Sequence, residues 1–160
     1  MIAPRSLRML AATSALAAAL APATALPAGG EGEYAELVHE RHESFEEMGD
    51  AFGTFRDQIR GEAPEDFAAL DEAAEVILGY ALKIPSWFPD GSGPDDGYET
   101  DALAAIWEDK ADFERIAEAL VPKAEELQSA TYGRDMTEIT AAFRETGATC
   151  KQCHERFRAD

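Results

Sequence analysis

The sequence predicts an all-α protein that folds as an antiparallel, up-down-up-down four-helix bundle. Apolar residues recur at alternating spacings of three and four along four long segments, the pattern of helices with one buried face. No strand-like alternation of useful length accompanies them. The connections are mostly short, which makes antiparallel neighbours the simplest packing. With 160 residues, the chain has room for a single domain.

The first two helices have clear limits in the sequence. One is predicted from Tyr34 to Arg60, where Gly61 and Pro64 break the pattern. The second is predicted over residues 65–81. The segment that follows, residues 84–97 (IPSWFPDGSGPDDG), is so rich in proline and glycine that it must be a loop.

The last two helices follow this loop. Thr100 or Asp101 is expected to cap the third helix, and Pro122 is expected to kink or end it near Val121. The fourth is predicted from about Arg134 to Phe157. One stripe of this helix carries both its apolar residues and the C-terminal cysteines and histidine: Met136, Ile139, Phe143, Cys150, Cys153, His154 and Phe157.

The N-terminal residues are typical of an export signal. Arg5 and Arg8 precede an apolar run of twelve residues, MLAATSALAAAL, and small residues at 23–25 offer a cleavage site. The run is shorter than the ~20 residues that span a bilayer. We therefore predict that residues 1–25 are a cleaved signal, 26–33 a flexible leader and 34–160 the bundle, located in the periplasm.

The charge of the mature chain limits its partners. Cleavage removes two of the 14 basic residues and leaves 32 acidic ones, a formal net charge of about −20. Nucleic acids and anionic membrane surfaces require clustered basic residues and are excluded as expected partners. A basic protein or a neutral small molecule remains possible.

The C-terminal stretch GATCKQCHERFRAD contains the chain's only two cysteines. Cys150, Cys153 and His154 stand at i, i+3 and i+4, which places them on one face of a helix. Two thiols one turn apart can add to the two porphyrin vinyl groups, and the adjacent imidazole then lies under the iron. C-x-x-C-H is the sequence form of this attachment and predicts one covalent haem c per chain, near one end of the bundle, with His154 as the iron ligand.

Three other uses of the two cysteines fit less well. A thioredoxin-like pair needs a strand leading into a helix. A structural zinc site needs about four ligands, and only three candidates are clustered here. A disulfide at i, i+3 within a helix would be strained and would close a very short loop.

The chain from Tyr34 to Asp160 resembles cytochrome c′, the high-spin class II c-type cytochromes. The resemblance is carried by RHESFEEM (41–48), GEAPEDF (61–67), IPSWFPDGSG (84–93), DALAAIWEDKADFE (101–114) and GATCKQCHERFR (147–158). Only six residues follow His154, so any second axial ligand must come from upstream. This order excludes a short-chain cytochrome with a ligand after the motif.

The resemblance implies roles for residues of the first helix. Arg41 interrupts an apolar stripe and would pair with a haem propionate; the alternative is a side chain that reaches solvent beside Glu40 or Glu43. Phe45 would stand over the open face of the iron, and His42 would flank the haem edge. His42 and His39 otherwise occupy exposed helix positions.

Further positions are implied to lie near the haem. Met48 could bind the iron but is more often a packing residue in such a stripe. Trp87 and Phe88 belong to the loop that would close over the haem, and the spacing leaves open which ring faces the iron. Asp101 would lie near the haem, and Arg158 beside the imidazole of His154.

These features predict a five-coordinate iron on an apolar distal side. Nitric oxide and carbon monoxide bind without a hydrogen-bond donor, whereas bound O₂ requires one, which the indole of Trp87 could supply. The resemblance implies gas binding, electron transfer with a redox partner, and often a homodimer through the first two helices. The alternative is a six-coordinate electron carrier whose iron is ligated by Met48 or a histidine.

Two other functions have little support in the sequence. No distal acid–base pair indicates a peroxidase, and the acidic loop 90–101 lacks the ligand pattern of a calcium site.

Overall fold

The computed structural model describes residues 32–159, and every regular element among them is helical. The elements are α1 (Ala35–Ile59), α2 (Phe67–Ala81), α3 (Ala105–Glu108), α4 (Lys110–Gly133) and α5 (Met136–Phe157), with two 3₁₀ turns, Ile84–Trp87 and Pro94–Asp96, in the long loop. The predicted export signal and most of the leader lie outside the described residues. No helix of residues 32–159 is long and apolar enough to cross a bilayer.

The four long helices pack as a bundle, in agreement with the predicted fold class. α4 packs against α5 and α2, and α2 packs against α1, while α1 and α5 touch much less. Polar caps help to set where two of the helices begin. Asp66 accepts hydrogen bonds from the backbone of Ala68 and Ala69, and Asp135 accepts one from Thr137. The up-down-up-down order and the haem position remain predictions with which this packing agrees.

The third predicted helix differs from the expectation at its start. Neither Thr100 nor Asp101 caps it, because residues 101–104 are not helical. Instead α3 makes a single turn, the backbone turns at Asp109, and α4 begins at Lys110. The prediction of Asp101 as an N-cap is therefore wrong. The Asp101 carbonyl accepts a hydrogen bond from the backbone of Ala159 at 2.8 Å, which attaches this segment to the C-terminal residues.

Of the two outcomes expected at Pro122, a kink or an end of the helix near Val121, the second is wrong. α4 runs through this proline to Gly133. A proline removes one backbone hydrogen bond and crowds the preceding turn. Pro122 is exposed, so water can solvate the freed carbonyl, while Leu120, Ala124 and Leu127 remain buried on the opposite side. Apolar burial on both sides of the proline maintains the helix.

The half of the bundle away from the C-terminus has a closely packed core. Phe55, Leu70, Leu127 and Ile139 are completely buried there. The ring of Phe55 stacks on Phe143 with centroids 5.6 Å apart. The other half, where α5 carries the two cysteines, contains the cavity described next.

Candidate haem site

A cavity of about 750 Å³ opens between α1, the long loop, α4 and α5. Its volume lies in the usual range of small-molecule and cofactor sites. Much of its wall is hydrocarbon, contributed by Phe113, Ile116 and Leu120 of α4 among others. The sequence identified these three as the buried stripe of a helix, but periodicity alone cannot distinguish a packed core from a cavity wall.

α5 brings Cys150, Cys153 and His154 to this cavity. All three side chains are partly buried and line the same wall. Their positions confirm the inference that one helix face carries all three. The two thiols are not joined in a disulfide. In the described part of the chain, the only group of His, Cys, Asp or Glu side chains close enough together to hold a metal ion is the exposed set His42, Glu43 and Glu46, which does not include them.

Burial sets the protonation of these groups. Burial raises the pKa of both the Cys150 and the Cys153 thiol to about 11, whereas a reactive dithiol requires a lowered pKa. The arrangement therefore disfavours dithiol redox chemistry. Burial and, secondarily, the charge of Arg158 lower the pKa of His154. Both effects favour the neutral imidazole, which is the form that binds a metal.

The turn that carries His154 is attached to the segment before α3. The backbone of Leu103 donates to the Phe157 carbonyl at 2.9 Å, and an isolated antiparallel bridge joins Ala102 to Arg158. Arg158 also ends α5, with its backbone donating to the His154 carbonyl at 3.1 Å. Arg158 and Asp101 are exposed residues that line the cavity.

Phe45 and Met48 of α1 and Phe88 of the loop also line the cavity. Trp87 is buried but does not line the cavity. Its ring lies behind Phe45, with centroids 5.4 Å apart and the planes nearly perpendicular. Of the two loop aromatics that the sequence could not separate, Phe88 therefore lies on the wall and Trp87 in the layer behind it.

Arg41 is buried, with 2% of its surface exposed. Its guanidinium donates to the carbonyls of Trp87 at 3.3 Å and Ser92 at 3.4 Å, and to the Thr100 hydroxyl at 2.9 Å. It also lies 4.5 Å from the centroid of the Phe88 ring. The alternative of a side chain reaching solvent beside Glu40 or Glu43 is therefore wrong.

The charge of Arg41 has no carboxylate partner among the described ion pairs. Burial lowers its pKa to about 10, so the cation persists at neutral pH. Arg41 does not itself line the cavity, but Thr100, which it contacts, does. A buried cation one hydrogen bond from the wall fits an acidic group bound in the cavity, as a haem propionate would supply.

The two other histidines are exposed, as the sequence indicated. His42 lines the cavity and pairs with Glu46 at 3.6 Å, whereas His39 does not line it. Sequence reasoning missed Glu46, Glu99 and Lys151, charged residues that also line the cavity. No local signal distinguishes them from the other charged residues of an acidic surface.

Comparisons with known proteins agree with this geometry. The family model described as cytochrome C′ matches residues 36–158. A cytochrome c′ from Cereibacter sphaeroides is 35% identical over 152 residues, covering 94% of this chain and 97% of that protein. The structure of cytochrome c prime from Shewanella frigidimarina is 32% identical, covers 80% of this chain and 98% of that one, and superposes with a TM-score of 0.74.

A further similar structure is a nitric oxide complex. It contains a mutant cytochrome c prime from Alcaligenes xylosoxidans, is 28% identical and has a TM-score of 0.69, and the match covers 78% of this chain and 95% of that one. The gas in that structure is a property of that protein. Whether this chain binds the same gas depends on the residues that line its own cavity.

Replacing Arg41 with methionine should lower the free energy of unfolding by about 2 kcal/mol, because the buried carbonyls of Trp87 and Ser92 lose their donor. The loop would then be held less firmly against α1. Urea unfolding followed by circular dichroism measures the change. Arg144→Met, at an exposed position of α5, is the control and should change stability by less than about 0.5 kcal/mol. Equal losses in both variants would contradict the role assigned to Arg41.

Proposed function

Because the chain belongs to the cytochrome c′ family and carries covalently bound haem c, we propose that it is a periplasmic protein whose five-coordinate iron binds nitric oxide and carbon monoxide. We further propose that it takes part in electron transfer and is not an enzyme. The observation that supports the gas-binding proposal is the apolar surface that Phe45, Met48 and Phe88 contribute to the cavity that His154 also lines.

The residues present fit haem c. The thiols of Cys150 and Cys153 would bond to the porphyrin vinyl groups, and the neutral imidazole of His154 would bind the iron. The haem supplies an iron that exchanges one electron and binds diatomic ligands. The rings of Phe45 and Phe88 would exclude water from the part of the cavity that they line, and they neither bind iron nor donate a hydrogen bond. Arg41 would offset a propionate charge through its position beside Thr100.

The apolar wall supports selectivity among gases. Bound O₂ carries partial negative charge and is stabilised by a hydrogen-bond donor, whereas nitric oxide and carbon monoxide bind well without one. Trp87, the donor considered from sequence, does not line the cavity. This position supports the preference for nitric oxide and carbon monoxide over O₂.

Met48 supports a second candidate, a six-coordinate electron carrier. Its side chain is 5% exposed and lines the cavity. A thioether there could ligate the iron from the side opposite His154. Packing is the commoner role of a methionine in an aromatic environment, so five-coordination is the first choice.

Absorption spectra of the ferrous holoprotein, with and without nitric oxide, separate these two candidates. We expect a high-spin spectrum that nitric oxide changes, and a Met48→Leu variant with the same spectrum, because leucine conserves the volume but cannot ligate. Split low-spin bands that nitric oxide leaves unchanged would refute five-coordination. If Met48→Leu then became high-spin, the thioether would be identified as the second ligand.

Export and haem attachment can be measured together. The signal at residues 1–25 and the covalent haem predict a periplasmic polypeptide shortened by that segment and heavier by one haem. Intact mass spectrometry of periplasmic and cytoplasmic fractions measures both changes. A haem-bearing chain that retains Met1 would contradict export with cleavage at this site.

A homodimer through α1 and α2 is also proposed. Val76 of α2 and Leu82, the residue that follows this helix, are large apolar side chains that are 37% and 62% exposed in the single chain. Exposed carboxylates along α1 oppose pairing: Glu36, Glu40, Glu43, Glu47 and Asp50. Salt screens such repulsion, so the dimer fraction should rise with ionic strength. Light scattering at several protein and salt concentrations measures this, and a monomer under all conditions would refute the dimer.

Charge supports a basic redox partner. The mature chain has a formal net charge of about −20, and Glu46, Glu99, Asp101 and Glu155 line the cavity together with Lys151 and Arg158. A basic protein approaching this edge would be attracted over distances set by the salt concentration. Electron exchange slowed by added salt would agree with this proposal, and a rate indifferent to salt would refute it.

A further inference from the structure

Aromatic rings form a row from the cavity to the outside of α2. Phe45 lines the cavity, and its ring centroid is 5.4 Å from that of Trp87. Trp87 is in turn 5.7 Å from Tyr80. Tryptophan and tyrosine are the aromatic side chains that lose an electron most readily, whereas phenylalanine does not under comparable conditions. A single phenyl layer therefore separates a pair of oxidisable rings from the cavity.

Tyr80 also has a proton acceptor in place. Its hydroxyl donates a hydrogen bond to the Oε2 carboxylate oxygen of Glu47 on α1. This hydrogen bond is the main reason that the pKa of Tyr80 is raised. The phenol is therefore protonated at neutral pH, but a tyrosine that loses an electron becomes a strong acid. Glu47 is positioned to accept the proton, which leaves a neutral ring beside the Lys83 ammonium, 5.5 Å from the ring centroid.

Trp107 provides a comparison within the same protein. Its ring is 6.0 Å from Phe88, which also lines the cavity. The Arg41 guanidinium lies 6.0 Å from the Trp107 ring and would repel a tryptophan cation. None of the described aromatic contacts joins Trp107 to a tyrosine. Of the two tryptophans, only Trp87 connects the wall to a phenol with a carboxylate partner.

We propose that Trp87 and Tyr80 form a path that carries an oxidising equivalent out of the haem cavity when hydrogen peroxide reacts there. The inference rests on the proposed function, because peroxide reaches the iron only if a coordination position is open. The path would divert oxidation from the residues of the cavity to a surface phenol.

Cleaving the O–O bond of hydrogen peroxide and forming two waters takes two electrons and two protons. A ferrous haem held by Cys150, Cys153 and His154 would supply one of these electrons and would become ferric. Tyr80 supplies the second electron through Trp87, and its O–H bond breaks as the proton passes to Glu47 and then to solvent. The other proton comes from water, and a neutral radical remains on Tyr80.

Freeze-quench electron paramagnetic resonance of the mature ferrous holoprotein, mixed without oxygen with an equimolar amount of hydrogen peroxide, tests the path. We expect a tyrosyl radical in the wild type, its loss in Tyr80→Phe, and a several-fold decrease in Trp87→Phe. Glu47→Gln should also decrease the yield, because the amide is a far weaker proton acceptor. Trp107→Phe and Tyr132→Phe are the matched controls and should retain the wild-type signal.

Two results would overturn the path. One is an unchanged radical in Tyr80→Phe, and the other is an equal loss in Trp107→Phe and Trp87→Phe. Optical spectra of the same samples separate failure of the path from failure of the open iron site. Ferrous haem that resists both peroxide and nitric oxide refutes both proposals, whereas haem that becomes oxidised without a Tyr80-dependent radical refutes the path alone. If Trp87→Phe fails to fold, Tyr80→Phe and Glu47→Gln still decide the question, because each changes only a surface polar group.

Discussion

The structure depends on a packing constraint imposed by the last two turns of α5. Cys150, Cys153 and His154 lie on the inner face of a helix whose earlier turns bury Ile139 completely. A thiol and an imidazole are smaller and more polar than the apolar side chains that fill the other half of the bundle. The facing helices do not close this space, and a cavity remains where a core would otherwise form. Covalent haem, placed as we propose, would fill this space with hydrocarbon, with its iron beside His154.

A second constraint comes from the charge of Arg41. A buried cation is tolerated only where hydrogen bonds or an anion compensate it. Arg41 donates hydrogen bonds to two loop carbonyls and to the Thr100 hydroxyl, and these bonds hold the loop against α1. The same interaction places Phe88 against the guanidinium and on the cavity wall. Arg41 thus also positions one of the aromatic rings of the cavity wall.

Much of the fold and of the haem site could be predicted from sequence because the signals are local. The three-and-four spacing predicted α1, α2 and α5 to within a few residues, whereas α4 begins and ends well after the limits predicted for the third helix. The i, i+3, i+4 geometry placed Cys150, Cys153 and His154 on one face. Predictions that depended on tertiary context were less reliable. The continuation of α4 through Pro122 reflects burial on the opposite side of the helix. The non-helical backbone at Asp101 reflects pairing of this segment with the C-terminal residues. Similarly, the choice between Trp87 and Phe88 depends on how the loop folds over α1, which residue spacing does not encode.

The composition of the distal wall connects ligand selectivity with redox chemistry. The proposed preference for nitric oxide and carbon monoxide rests on phenyl rings and the thioether of Met48, none of which donates a hydrogen bond. Phenyl rings also resist one-electron oxidation, so Phe45 and Phe88 would not retain an electron hole formed in the cavity. The first readily oxidised rings behind that wall are Trp87, which leads to a phenol paired with a carboxylate, and Trp107, which faces a guanidinium. An electron hole is stabilised where its charge can leave as a proton and destabilised beside a fixed cation, so this asymmetry gives the route toward α2 its direction.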